Sequence, residues 1–93
     1  MTFASHPHWR DIKIVNELGL HARAAAKLAK AAQQASGRVW LQFDAERIDA
    51  KQVIDILTLG AACGDQVRVS VEAAADIDTL NNIAELFARG FGE

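Results

Sequence analysis

The segment "DQVRVSVE", residues 65–72, sets a valine at every second place: Val67, Val69 and Val71 against Gln66, Arg68 and Ser70. Strict alternation is the pattern of a β-strand with one covered face and one wet face. Strands of this kind build antiparallel sheets whose inner face another layer must cover. The same period runs through "RDIKIV", where Ile12 and Ile14 oppose Asp11, Lys13 and Val15. It returns in "RVWLQF", where Val39, Leu41 and Phe43 oppose Arg38, Trp40 and Gln42. "DAE" makes a tight turn from that strand into a short one, "RIDA".

Between the strands the period changes to that of a helix. Residues 22–35 are rich in Ala, Lys and Gln, all good helix formers. Leu20, Ala24, Ala25, Leu28, Ala31 and Ala32 form a core-facing stripe at helical spacing. Ser36-Gly37 is expected to close this helix, with the glycine as a left-handed cap. "KQVIDILTL" predicts a short helix ended by Gly60. Asp76 or Asp78 is expected to cap a last helix that sets Ile77, Leu80, Ile83, Phe87 and Phe91 on one face. The order β-α-β-β-α-β-α predicts an α+β layer, a four-stranded, mainly antiparallel sheet with three helices on one side.

With 93 residues the chain is expected to be one small domain over residues 9–93, preceded by a flexible N-terminal arm over residues 1–8 that holds Pro7. A chain of this size buries only somewhat over ~60% of its unfolded surface. It cannot hide a large cavity as well as a core, so chemistry is expected on the surface. The net charge of −2 gives no global field toward nucleic acid. A single cysteine, Cys63, excludes an internal disulfide framework and suits a reducing compartment. No apolar run approaches the ~18 residues of a membrane span. The start "MTFASHPHWR" lacks the layout of a signal peptide, so a cytoplasmic protein is expected. His6 and His8 have no third ligand close in sequence, and no metal site is assigned.

The chemistry concentrates in "ELGLHARAAAKLAKAA", residues 17–32. His21 stands where the first strand gives way to the alanine-rich helix, at or near its N-cap. The first N–H groups of a helix have no partner inside it and point outward at the positive end of the macrodipole. An anion can bind there, and the same field favours a neutral, nucleophilic imidazole. Arg23 can offer a planar fork to the same anion. A histidine that carries a phosphoryl group needs this set: an exposed ring nitrogen, N–H donors such as those of Ala22 and Arg23, and a cation. Arg23, Lys27 and Lys30 share one helical stripe that would meet an acidic partner. A histidine in this place also serves as an ordinary helix cap, and single-site physics leaves both readings open. Cys63, and the turn or cap residues Asp44, Glu46 and Asp49, suggest no chemistry of their own.

"GLHARAAAKL" closely resembles the active-site motif of the histidine-containing phosphocarrier family, HPr, whose usual form is Gly-Leu-His-Ala/Thr-Arg-Pro-Ala. "LTLGAACGDQVRVSVE", residues 57–72, resembles the family's second signature. The likeness runs from about Arg10 onward. It implies an open-faced β-sandwich and a phosphoryl group that arrives from phosphoenolpyruvate through Enzyme I, rests on the histidine Nδ1 and passes to an EIIA-type protein. Carried over, the acceptor is His21 and its companion Arg23, with backbone N–H donors at Ala22 and Arg23. The resemblance also places Val53, Ile54 and Leu57 beside His21 as a docking patch. With Leu20, Ala24, Lys27 and Lys30 they form the expected partner surface. The carrier has no turnover of its own and needs no cofactor, the magnesium of the first step belonging to Enzyme I; a monomer is the natural form.

Two positions depart from the family. Ala24 replaces its proline, which restores an N–H and loses stiffness. Gln52 stands where some members have a kinase-regulated serine, so that regulation is not expected. "NELGLHAR" and the segment "ELFARGFGE" look more like the nitrogen branch, NPr, than the sugar branch. The main alternative is therefore a regulatory binding module of the same fold. A nucleic-acid module is disfavoured, because "RVWLQF" is strand-like where a helix-turn-helix needs its recognition helix.

Overall fold

The computed structural model describes residues 8–93. The expected arm thus lies, all but His8, outside the described residues, as does His6. The elements are β1 (Trp9–Lys13), α1 (Ala22–Ala32), β2 (Val39–Phe43), β3 (Glu46–Asp49), α2 (Val53–Thr58), β4 (Gln66–Val71) and α3 (Ile77–Ala88), with short 3-10 turns at Ala74–Asp76 and Gly90–Gly92. The four strands form one sheet in the order β1-β4-β2-β3, and every neighbouring pair is antiparallel. Hydrogen bonding begins before β1, since the His8 carbonyl accepts from the Val71 N–H at 2.8 Å.

The alternating valines do what their spacing predicts. Val67 pairs with Ile12, while Val69 faces Leu41 and Val71 faces Val39 across the central ladder. These three valines, Val39 and Leu41 are all buried beneath the helices. Leu28 of α1, Ile56 of α2, and Leu80, Ile83 and Phe87 of α3 complete the core. α3 packs over β1 and β4, α2 packs on β3, and α1 lies against both of the other helices.

The other face of the sheet is open to water and held by cross-strand pairs. Trp9 and Trp40 flank Ser70 from the strands on either side. The Arg68 guanidinium lies 4.1 Å from the Trp9 ring centre and makes two hydrogen bonds to Asp11. Arg47 covers Trp40 at 4.2 Å, and the indole N–H donates to Glu72. Stacking of guanidinium on indole shields apolar surface while the charge stays wet.

Three local expectations change. α1 ends at Ala32, and its cap is Gln33 rather than Gly37. Gly37 is not left-handed. A Cβ there would lie 3.4 Å from Asp76 Oδ2, the oxygen that accepts the Gly37 N–H at 2.8 Å. Close approach to a carboxylate, not helix capping, explains the glycine. Asp76 does sit at the N-cap of α3, but its side chain makes no capping bond. It is buried and accepts from the Ser36 and Gly37 N–H groups, tying α3 to the end of the α1–β2 loop. Within α1, Ala29 joins the buried stripe while Ala31 is only half-buried.

Phe91 lies beyond α3 rather than on its face. Gly90, Phe91 and Gly92 all have positive φ, which turns the chain back on itself. The Phe91 ring is buried edge-to-face on Phe87, with centroids 4.8 Å apart.

Candidate functional site

The site is built by the chain between β1 and α1. After buried Ile14, a turn is closed by the Gly19 N–H donating to the Asn16 carbonyl at 3.0 Å. Gly19 has φ of 63°, and a Cβ there would meet the Ala62 Cα at 2.8 Å and the Ala61 carbonyl oxygen at 2.9 Å. Only glycine lets these two backbones meet. The next N–H, of Leu20, donates to the Ala61 carbonyl at 3.2 Å, and the Leu20 side chain enters the core. With Leu20 inward, His21 is left at the surface, its side chain 27% exposed.

His21 is the N-cap of α1, with extended backbone. Its carbonyl accepts from the Ala25 N–H at 2.8 Å, so the N–H groups of Ala22, Arg23 and Ala24 precede the helical ladder. The ring caps the helix too, because Nδ1 accepts from the Arg23 N–H at 3.3 Å. The two readings of this histidine are thus not rivals: the geometry that makes it a cap aims Nδ1 at the helix N-terminus.

Nε2 meets the Glu93 carboxylate. Burial pushes the Glu93 carboxyl up, but it is outweighed by hydrogen bonds from His21 and Asn16 and by the charges of His21 and Arg23, so it titrates below the usual range. An ionised carboxylate only accepts hydrogen bonds, so Nε2 carries the ring proton. Nδ1 accepts from an N–H, so it carries none. With Nε2 turned to Glu93, Nδ1 faces the backbone N–H groups that open α1.

Glu93 is itself held. Asn16, a buried residue, donates from Nδ2 to the Gly19 carbonyl at 2.6 Å and to Glu93 Oε1 at 3.2 Å. Lys27 Nζ donates to the Phe91 carbonyl at 2.6 Å. Leu18, His21, Ala22, Arg23 and Glu93 together line an open cleft.

Of the residues expected at the site, His21, Ala22 and Arg23 are brought together. Arg23 is exposed at the first turn of the helix. Leu20 and Ala24, expected at the partner surface, are core residues instead, since the stripe that anchors α1 runs through both. Lys27 is exposed but also fastens the segment after α3; Lys30 is exposed in the last turn of α1. On α2, Val53 is half-buried, while Ile54 is 70% exposed and Leu57 is also exposed. The chain leaving α2 reaches Leu20 through Ala61, which brings the end of this helix to the residue before His21. Sequence reasoning missed Glu93, Asn16 and the exposed Leu18. The glycines of "GFGE" were the available signal that the chain turns back after α3.

A helix-backed antiparallel sheet with a surface histidine capping its first helix is the arrangement of a histidine phosphocarrier. The profile of the family described as PTS HPr component phosphorylation site matches residues 9–89. The chain is 30% identical to the phosphocarrier protein HPr of Treponema pallidum (strain Nichols) over 84 residues, which is 90% of this chain and 96% of that one. It is 36% identical to the phosphocarrier protein HPr of Pseudomonas putida over 89 residues, covering 90% of this chain and 94% of that one. The crystal structure of HPr-C-His from Thermoanaerobacter tengcongensis superposes with a TM-score of 0.87 at 32% identity, covering 91% of this chain and 96% of that one. The chain belongs to the HPr family, the phosphocarrier proteins of the phosphotransferase system.

Proposed function

We propose that the chain accepts a phosphoryl group on Nδ1 of His21 from phosphorylated Enzyme I and passes it to a histidine of an EIIA-type protein. The observation that carries this reading is His21 Nδ1 accepting from the Arg23 N–H at the N-terminus of α1. In the transfer, the bond from phosphorus to the donor nitrogen breaks as the bond to Nδ1 forms. The Arg23 N–H, released from Nδ1, and that of Ala22 are the donors for the phosphoryl oxygens, with the Arg23 guanidinium as counter-charge. Such a transfer is positioning plus charge stabilisation, which a small surface site can supply.

The docking surface in this reading is exposed Ile54 and Leu57, half-buried Val53, and the charges of Arg23, Lys27 and Lys30. Apolar area gives affinity and charge gives orientation. A carrier must also release, which fits a small contact. In this reading the carrier is a cytoplasmic monomer. The resemblance of "NELGLHAR" and "ELFARGFGE" to NPr favours a nitrogen-branch, regulatory circuit over sugar transport.

The test is to mix the protein with phosphoenolpyruvate, magnesium and catalytic Enzyme I of each branch, then to follow intact mass. One acid-labile phosphoryl group, absent in His21→Ala, is expected. No gain with either enzyme would leave a domain of this fold that acts by binding alone.

A further inference from the structure

We infer that Glu93 is a positioning residue for His21, the carboxylate of a carboxylate–imidazole pair that holds the ring for phosphoryl transfer. This rests on the phosphocarrier reading of His21 and adds a residue to it. The contact is made on Nε2, the nitrogen that does not react, so Glu93 does not block the nucleophile. Its effect is on the far side of the ring. When neutral imidazole attacks phosphorus, the Nδ1–P bond forms, the bond to the donor nitrogen breaks, and the proton stays on Nε2. The ring becomes cationic. A carboxylate accepting the Nε2–H stabilises that cation as it forms and fixes the ring's tautomer and orientation beforehand, as the aspartate does in a Ser-His-Asp triad. Passing the group on reverses the sequence with the proton still in place.

The surroundings keep Glu93 there. Asn16 divides its Nδ2 hydrogens between the Gly19 carbonyl and Glu93, which couples the carboxylate to the turn that presents His21. Buried Phe91 anchors the segment two residues before Glu93, and Lys27 of α1 holds the Phe91 carbonyl. The reversal needs the positive φ of Gly90 and Gly92, and even of Phe91, a conformation that side chains rarely adopt. The charged groups around the pair are Arg23 and Lys27 from α1, Glu17 from the turn before it, and Arg89 from the end of α3. The last two line the cleft adjoining that of His21, to which Glu93 also contributes.

The experiment compares the full chain with Glu93→Gln and Glu93→Asp, each checked for folding by circular dichroism. Ring nitrogen and proton spectra of His21 are recorded first, without any partner. The wild type is expected to give a slowly exchanging, downfield Nε2–H that the glutamine variant loses and the aspartate variant partly regains. Phosphoryl uptake from Enzyme I is then timed across pH. Glu93→Gln is expected to slow it about tenfold, the low end for a hydrogen bond to a charged group, with a changed pH profile and recovery in Glu93→Asp. A glutamine variant that loads at the wild-type rate overturns the assignment, as does a wild-type ring spectrum identical to the variant's. If the wild type takes up no phosphoryl group at all, the carrier reading fails, while the ring spectra still decide whether Glu93 holds Nε2.

Discussion

A methyl group on Gly19 would stand 2.8 Å from the Ala62 Cα, in the turn that leads into His21. Gly19→Ala must adopt a strained left-handed conformation and also push two backbones apart. The expected loss is about 1–3 kcal/mol for the conformation alone, read as a lower midpoint in urea denaturation. Because Leu20 and His21 follow directly, the variant is also expected to slow phosphoryl loading under conditions where it is still folded. At this scale the sequence was informative where the signal is local. His21, Arg23 and the backbone donors lie within one turn, so their spacing is visible in the motif. Glu93 meets His21 from 72 residues away, and Asn16 meets Glu93 from 77. No local pattern reports a contact formed only when α3 turns back on itself. Leu20 and Ala24 were expected both in the core-facing stripe, where they lie, and on the partner surface, from which their burial removes them: a motif marks residues near a site without saying which of them support it from inside.

The strands were legible because alternation is a property of each strand alone: β1, β2 and β4 fall on the alternating stretches, although β1 starts at Trp9 and stops at Lys13, before Ile14 and Val15, while β3 was read from the turn before it and starts one residue earlier than expected, at Glu46. Helix ends were less so, because two were decided by contacts between elements. Asp76 has the residue type of a helix cap, yet its carboxylate is claimed by the Ser36 and Gly37 N–H groups of another loop. The Gly37 N–H, then that of Ser36, lowers its pKa; burial opposes them and the Lys51 charge assists. A carboxyl depressed on folding contributes stability that is complete above its unfolded value and is lost as pH falls through the folded one, since the unfolded chain then binds more protons. Acid unfolding is expected to steepen below the ordinary carboxylate range. Asp76→Asn, which faces one N–H with an amide N–H of its own, is expected to lower the Tm at neutral pH and flatten that acid limb. A wild-type acid profile in the variant would contradict this. Phe91→Ala removes a fully buried ring from Phe87, with an expected cost of about 3–5 kcal/mol, measurable by urea denaturation.

On the scale of the molecule, the sheet, helices and site divide the labour. The sheet is covered on one side by its helices and open on the other, where tryptophan–arginine stacks and the exposed Arg68–Asp11 pair lie, the pair contributing little by itself. Chemistry is left to one end of α1, with α2 beside it. Ile54 is largely exposed, so its loss should not disturb the core. Ile54→Asp is therefore expected to leave the Tm within about 4 °C of wild type, a surface substitution changing stability by no more than about 0.5 kcal/mol. It is also expected to raise the protein concentration needed for half-maximal loading by Enzyme I. Unchanged kinetics with both donor and acceptor would remove this patch from the docking surface. The most direct measurement of the account as a whole follows phosphorus and ring-nitrogen resonances while the protein is loaded with phosphoenolpyruvate and Enzyme I. The account predicts a single phosphoryl group bonded to Nδ1 of His21, which an EIIA-type protein then discharges. A phosphoryl group on Nε2, on any other residue, or on none would contradict it.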